Sequence, residues 1–166
     1  MSENWLVKLF EHNHWANQRI IQACLALSDE QLDAPPTTAT RGTIRETLLH
    51  LVSAQRNYLA LLTRPLEERR SRPPLEFSEL EEVERASAEG LIALVKDAAN
   101  RSLPAHLETR DGYLVEPWVV IVQIINHAHE HREQISSMLS ALGLTPPRLD
   151  GWSYGEAANA LKAAER

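Results

Sequence analysis

Four long stretches of this chain repeat apolar residues three and four positions apart, the period of one face of an α-helix, and little else carries a regular pattern. The first stretch, residues 4–27, runs through Leu6, Leu9 or Phe10, Asn13, Ala16 or Asn17, Ile20, Ala23 or Cys24 and Leu27. Ser28 and Asp29 begin its exit, and "DAPPTTATRGT" (33–43) reads as a loop. Residues 43–63 form the second stretch, with Thr43 and Glu46 spaced as a capping box and Ile44, Leu48, Leu51, Gln55, Leu59 and Leu62 on one face. Pro65 stops it, and the charged "RPLEERRSRPP" (64–74) makes a crossover. The third, 78–103, takes Ser78 as its cap and contains Gly90, which weakens a helix interior. "ETRDGYLVE" (108–116) carries Asp-Gly and reads as a small hairpin or loop. Pro117 then opens a long fourth helix that Gly143 closes. "TPPRLDGWS" (145–153) is loop, and 153–165 reads as a short last helix. These elements predict an all-α fold: a four-helix bundle with one long crossover and a short C-terminal helix.

At 166 residues the expectation is one domain, 1–166. A net charge of −6 argues against a nucleic-acid surface and against an anionic membrane surface. No segment approaches the roughly 18 consecutive apolar residues of a membrane span, and the first residues lack the apolar run of a signal peptide. Cys24 is the single cysteine, which fits a reducing compartment and a cytoplasmic location. Its apolar surroundings read as core rather than as a reactive thiol.

The fourth helix holds "NHAHEHREQ" (126–134), with histidines at every second position. At roughly 100° per residue, His127 and His131 lie about 40° apart, one turn above the other, while His129 points about 200° away. The cluster is therefore a pair and an outlier. Two imidazoles at i and i+4 can chelate one transition metal. A single pair on an inner helix face is more often packing than ligation, so a third ligand is required. His50, at the border of the second helix's apolar face, is the candidate, since bundle interiors build metal sites from facing helices. Three neutral imidazoles with one position left open would suit zinc, nickel, iron or copper and make a reactive rather than a closed structural site. A di-iron carboxylate site is disfavoured, because no Glu stands three residues before His127 or His131. Phosphate loops, serine nucleophile elbows and cysteine-rich zinc motifs are absent from the sequence.

Three stretches resemble the DinB superfamily of four-helix-bundle metal-binding proteins, also called DinB-like or YfiT-like: "HNHWANQRII", "TIRETLLHLVSAQRNYL" and "QIINHAHEHREQISSMLSALGLTPP". Order and spacing match along nearly the whole chain, and the third stretch, similar to the family's Asn-His-x-x-x-His-Arg-x-Gln, is the most specific. The resemblance assigns the metal ligands to His50, His127 and His131. It also implies a homodimer, and a transferase in which a metal-bound low-molecular-weight thiol attacks a small electrophile. Two departures bear on activity more than on metal binding: Glu130 stands where many members have a second histidine, and Glu133 where many have glycine.

Other readings stand beside this one. A metal-dependent hydrolase would use the same open position, a non-catalytic metal- or ligand-binding stress protein would hold metal without chemistry, and a structural bundle would use the histidines for packing. Arg132 is a candidate anchor for an anionic substrate or thiol, against a plain tie to a neighbouring helix. Glu130 is a candidate general base, against a solvated surface acid. Gln134 could support a ligand, and Asn17 could tie the first helix to its neighbours. Trp118 and Trp152 could cover the site or a dimer seam, His12 and His14 could line its mouth, Trp15 reads as packing, and His129 and His106 read as bystanders.

Overall fold

The computed structural model describes residues 4–36, 42–69, 73–97 and 103–164. Among these residues six α-helices follow in chain order: α1 (Trp5–Leu25), α2 (Asp29–Leu32), α3 (Ile44–Thr63), α4 (Leu80–Lys96), α5 (Pro117–Ala141) and α6 (Gly151–Ala157). A two-stranded hairpin, β1 (Leu107–Glu108) and β2 (Leu114–Val115), sits between α4 and α5. The four long helices form a bundle in which α1 packs on α4 and α5, and α3 packs on the same two. Helices α1 and α3 therefore stand diagonally opposite.

The start and stop chemistry explains the boundaries. Asn4 caps α1 by accepting from the backbone N–H groups of Leu6 and Val7. The expected Thr43–Glu46 capping box opens α3, satisfying two otherwise unpaired amides. Pro117 is the first residue of α5, and Gly143, at φ +75°, turns the chain after it. Asp-Gly does make a hairpin, with Gly112 at φ +86°.

Several boundaries differ from the sequence reading. Ser28 does not simply lead out of α1: with Gln31 it makes a second capping box and nucleates α2. Ser78 is not the cap of α4. It lies inside a 3-10 turn, Phe77–Glu79, whose leading residue Glu76 bonds reciprocally with Glu79. The last helix begins earlier than expected, at Gly151, because Asp150 accepts from Trp152 and Ser153 N–H, and it ends at Ala157 before Asn159 at φ +54°. Parts of the expected loop 33–43, crossover 64–74, third helix 78–103 and last helix 153–165 lie outside the described residues.

Gly90 does not interrupt α4. A Cβ there would stand 2.6 Å from Leu59 Cδ2, so glycine lets α4 approach α3 closely. The core is divided along the bundle axis. One apolar cluster gathers Ile20, Cys24, Leu48, Leu80, Ile135 and Met138, and the other Phe10, Leu62, Leu91, Val95, Val120 and Ile124. Each such side chain stabilises the fold by about 1.5–3 kcal/mol when removed from water. Cys24 is wholly buried, and burial pushes its thiol up to about 12, so it is a core residue.

Candidate metal centre

Between the two apolar clusters the helices change character. On α1 the buried residues turn polar at Asn13 and Asn17, on α3 at Gln55, on α4 at Glu84 and Ser87, and on α5 at His131 and Arg132. Polar groups taken from water cost free energy unless each finds a partner, and here they do. Arg132 Nη1 donates to Asn13 Oδ1 (2.8 Å) and Asn17 Oδ1 (2.6 Å). Both asparagine amides then donate to Gln55 Oε1, at 3.3 and 3.0 Å. Gln55 Nε2 in turn donates to Ser87 Oγ at 2.9 Å and reaches Glu84 Oε1 at 3.4 Å. Every amide in this chain faces its oxygen to the cation and its N–H toward the anion, so the dipoles reinforce one another. The Glu84 carboxylate, fully buried, also takes Gln18 Nε2 and His14 Nδ1, the latter at 3.0 Å. That bond raises His14 above its ordinary range against the opposing effect of burial. Burial pushes the Arg132 guanidinium down to about 10, against the pull of Glu133 and Glu84, which leaves it protonated at neutral pH.

The histidines lie at the same level, on the seam between α3 and α5. His50 Nε2 and His127 Nε2 are 3.1 Å apart, and His127 Nε2 and His131 Nε2 are 3.2 Å apart. One ligand atom from each of the three lies within 4.8 Å of the others. Four ligands placed tetrahedrally at about 2.0–2.1 Å from zinc would put neighbouring donor atoms about 3.3 Å apart. The two close edges match that spacing. The rings meet nearly edge to face, at 83° for His127–His131 and 88° for His50–His131, so their nitrogens approach one point from different directions.

The proton count favours a cation at that point. His131 Nδ1 lies 2.7 Å from Gln134 Oε1. An amide oxygen only accepts, so Nδ1 carries the hydrogen and Nε2 presents its lone pair. His127 Nε2 faces two ring nitrogens but has at most one hydrogen to give. A cation between the three nitrogens satisfies what one proton cannot. Such support of a ligand's far nitrogen is the usual companion of metal ligation. The residues present therefore fit a divalent transition metal.

The other candidates are distributed as follows. Gln134 occupies the supporting position. Asn17 ties α1 to α3 and α5 through Gln55 and Arg132. Of the two readings of Arg132, an anchor for an anionic substrate or a tie to a neighbouring helix, the geometry favours the tie, because its side chain is buried and engaged with α1. Glu130 and His129 face solvent, as does His106. His12 bonds the Leu149 carbonyl at 2.8 Å and stacks with Trp15 and Tyr154, holding α6 against α1. Trp118 and Trp152 are exposed, so neither is packed as a cover over the histidines. His14 belongs to the polar layer rather than to the site mouth. Sequence reasoning missed Glu84, although Leu80, Glu84, Ala88 and Leu91 keep the apolar spacing and so place it on the inner face. It also missed Tyr58, whose ring meets His127 edge-on with centroids 5.7 Å apart.

Bundle and cluster together define a class: an all-helical protein in which three histidines from two facing helices could hold a metal ion. The DinB family profile matches residues 1–165, and the chain belongs to the DinB family. A search of curated proteins returns no significant match. No helix among the described residues is long and apolar enough to cross a membrane.

Proposed function

We propose that this protein binds one divalent transition metal, zinc, nickel or iron, through His50, His127 and His131 and serves as a metal-dependent transferase. In this reading a low-molecular-weight thiol is joined to a small electrophile. The observation that carries it is the approach of three imidazole Nε2 atoms to one point, with His131 oriented by Gln134. A cation held by three neutral rings keeps its charge and at least one open position, and so lowers the pKa of a coordinated thiol or water toward neutral. The protein's own contribution is orientation. The α3–α5 seam fixes His50 against the pair, Tyr58 braces His127, and the polar layer fixes the rotation of α5. Glu130 is exposed, about 100° around α5 from His131, and is left as a solvated acid.

The test is consumption of a thiol with a chlorinated nitroaromatic electrophile, by metal-loaded and metal-stripped protein. The reading expects turnover that needs both metal and thiol and disappears in His127→Ala. Ester hydrolysis without thiol would instead establish the hydrolase reading, and metal retention with neither reaction would establish a binding protein. A homodimer is part of the proposal: Trp118, Val119 and Val122 leave apolar surface of α5 exposed. Light scattering should give twice the chain mass, and the chain mass alone would remove that part.

A further inference from the structure

Tyr58 has a second neighbour besides His127. It also lines a cavity of about 340 Å3 at the end of α3, between the turn that follows that helix and the hairpin. Asn57, Arg64, Arg69 and Arg110 line the same cavity, with Glu68 as its one carboxylate among the described residues. Three guanidiniums against one carboxylate give this surface a positive charge in a chain whose net charge is −6.

Two of the arginines are held by backbone rather than by acids among the described residues. Arg69 donates from Nη2 to the Glu108 carbonyl, and Arg110 donates from Nη2 to the Arg69 carbonyl. These bonds tie the turn to the hairpin and, among the described residues, leave neither charge paired with a carboxylate. Arg69 Nε is buried and has no hydrogen-bond partner among the described residues, a donor without an acceptor in the wall of a positively charged cavity. Planar guanidiniums match carboxylate and phosphate oxygens in pairs of bonds. Position completes the case. Asn57 follows His50 by seven residues, so it stands about 10 Å along α3 and within about 20° of the same face.

We propose that this cavity is an anion-binding subsite of the histidine cluster. It takes a carboxylate or phosphate of the small molecule whose reacting atom reaches His50, His127 and His131, which lie about 10 Å by helical rise from the cavity's near edge at Asn57. The link to the cluster rests on the metal-site reading above; the anion preference does not. The substrate class is then an extended, acidic small molecule of roughly tripeptide length rather than a compact neutral thiol.

The probe is S-methylglutathione, a tripeptide with two carboxylates and a blocked sulfur, compared by calorimetry with its diethyl ester at low salt. Metal-free wild type is expected to bind the acid at least about tenfold more tightly than the ester, the effect of losing one or two charge-assisted bonds. Arg64→Gln with Arg110→Gln should abolish the preference while the helical spectrum is kept, and Arg64→Gln alone, at an exposed side chain with no part in the turn-to-hairpin tie, should weaken it without shifting the melting temperature. Glu68→Gln should strengthen it. In cobalt-loaded protein, glutathione should alter the visible absorption at lower concentration in wild type than in the double arginine variant. Equal binding of acid and ester, or a preference that survives the double variant, overturns the subsite. A cobalt titration indifferent to the arginines overturns its link to the histidines. Failure to retain cobalt would sink the metal reading alone, since the metal-free comparison still decides the cavity.

Discussion

The polar layer and the histidine cluster share one level of the bundle and obey opposite rules. In the layer, Arg132, Asn13, Asn17, Gln55, Ser87 and Glu84 form a directed chain from cation to anion. Nothing there awaits a ligand. In the cluster, three ring nitrogens face one another with too few protons to go round, and among the described residues no carboxylate joins the group. The contrast is sharpest between two histidines. His14 has Glu84 beside it and is a structural member of an ion pair. His131 has an amide oxygen behind it and two rings in front, the setting of a ligand. A buried polar group declares its role by what is left over once its partners are counted.

The two regions are joined at adjacent residues of α5. Arg132 locks that helix against α1, and this rotation turns His127 and His131 toward α3. The largest expected effect is therefore in the layer. Arg132→Leu leaves two asparagine oxygens and a buried carboxylate without their cation and should cost about 3–5 kcal/mol, read from urea unfolding. The same variant should weaken metal uptake, though it removes no ligand. His50, His127 and His131 changed together to alanine should do the reverse. All metal uptake should vanish, while the helical spectrum is kept. If the triple variant unfolds and Arg132→Leu does not, the roles assigned to the two regions are exchanged.

A smaller effect sharpens the cluster itself. Gln134→Leu keeps the three ligands but frees His131 Nδ1, and should weaken metal affinity by about 10–100-fold in competition with a chelator. Unchanged affinity would make Gln134 a bystander. The smallest effect concerns His14. Its folded pKa is raised, so its contribution to stability is full below the unfolded value near 6.5 and is lost as pH rises through the folded value. Wild type should lose stability relative to His14→Gln as pH climbs through that window. The difference should stay within about 1 kcal/mol, as for a partly exposed pair. Parallel pH profiles would break the assignment.

Much of this was legible in the chain. Helical period placed all four long helices, and the phase of α5 separated His127 and His131 from His129 before any coordinates. Thr43–Glu46, Pro117 and Gly143 marked true ends because each satisfies a local backbone requirement. Ser78 misled because a capping side chain is a local signal, while the start of α4 is set by the preceding turn. Arg132 left two readings open for a different reason. One turn of phase puts it beside a ligand, and sequence cannot show that two asparagines on a sequence-distant helix take up its charge. The arginine cavity had no sequence signal, because Arg64, Arg69 and Arg110 meet only when the crossover and hairpin are folded together.

The central claim is that the cluster holds metal. The most direct test is elemental mass spectrometry of tag-free protein, wild type beside His131→Ala. About one equivalent of a divalent transition metal per chain, lost in the variant, is the predicted result. No metal in wild type, even after reloading with zinc, nickel or iron, would contradict the account and leave the three rings as packing.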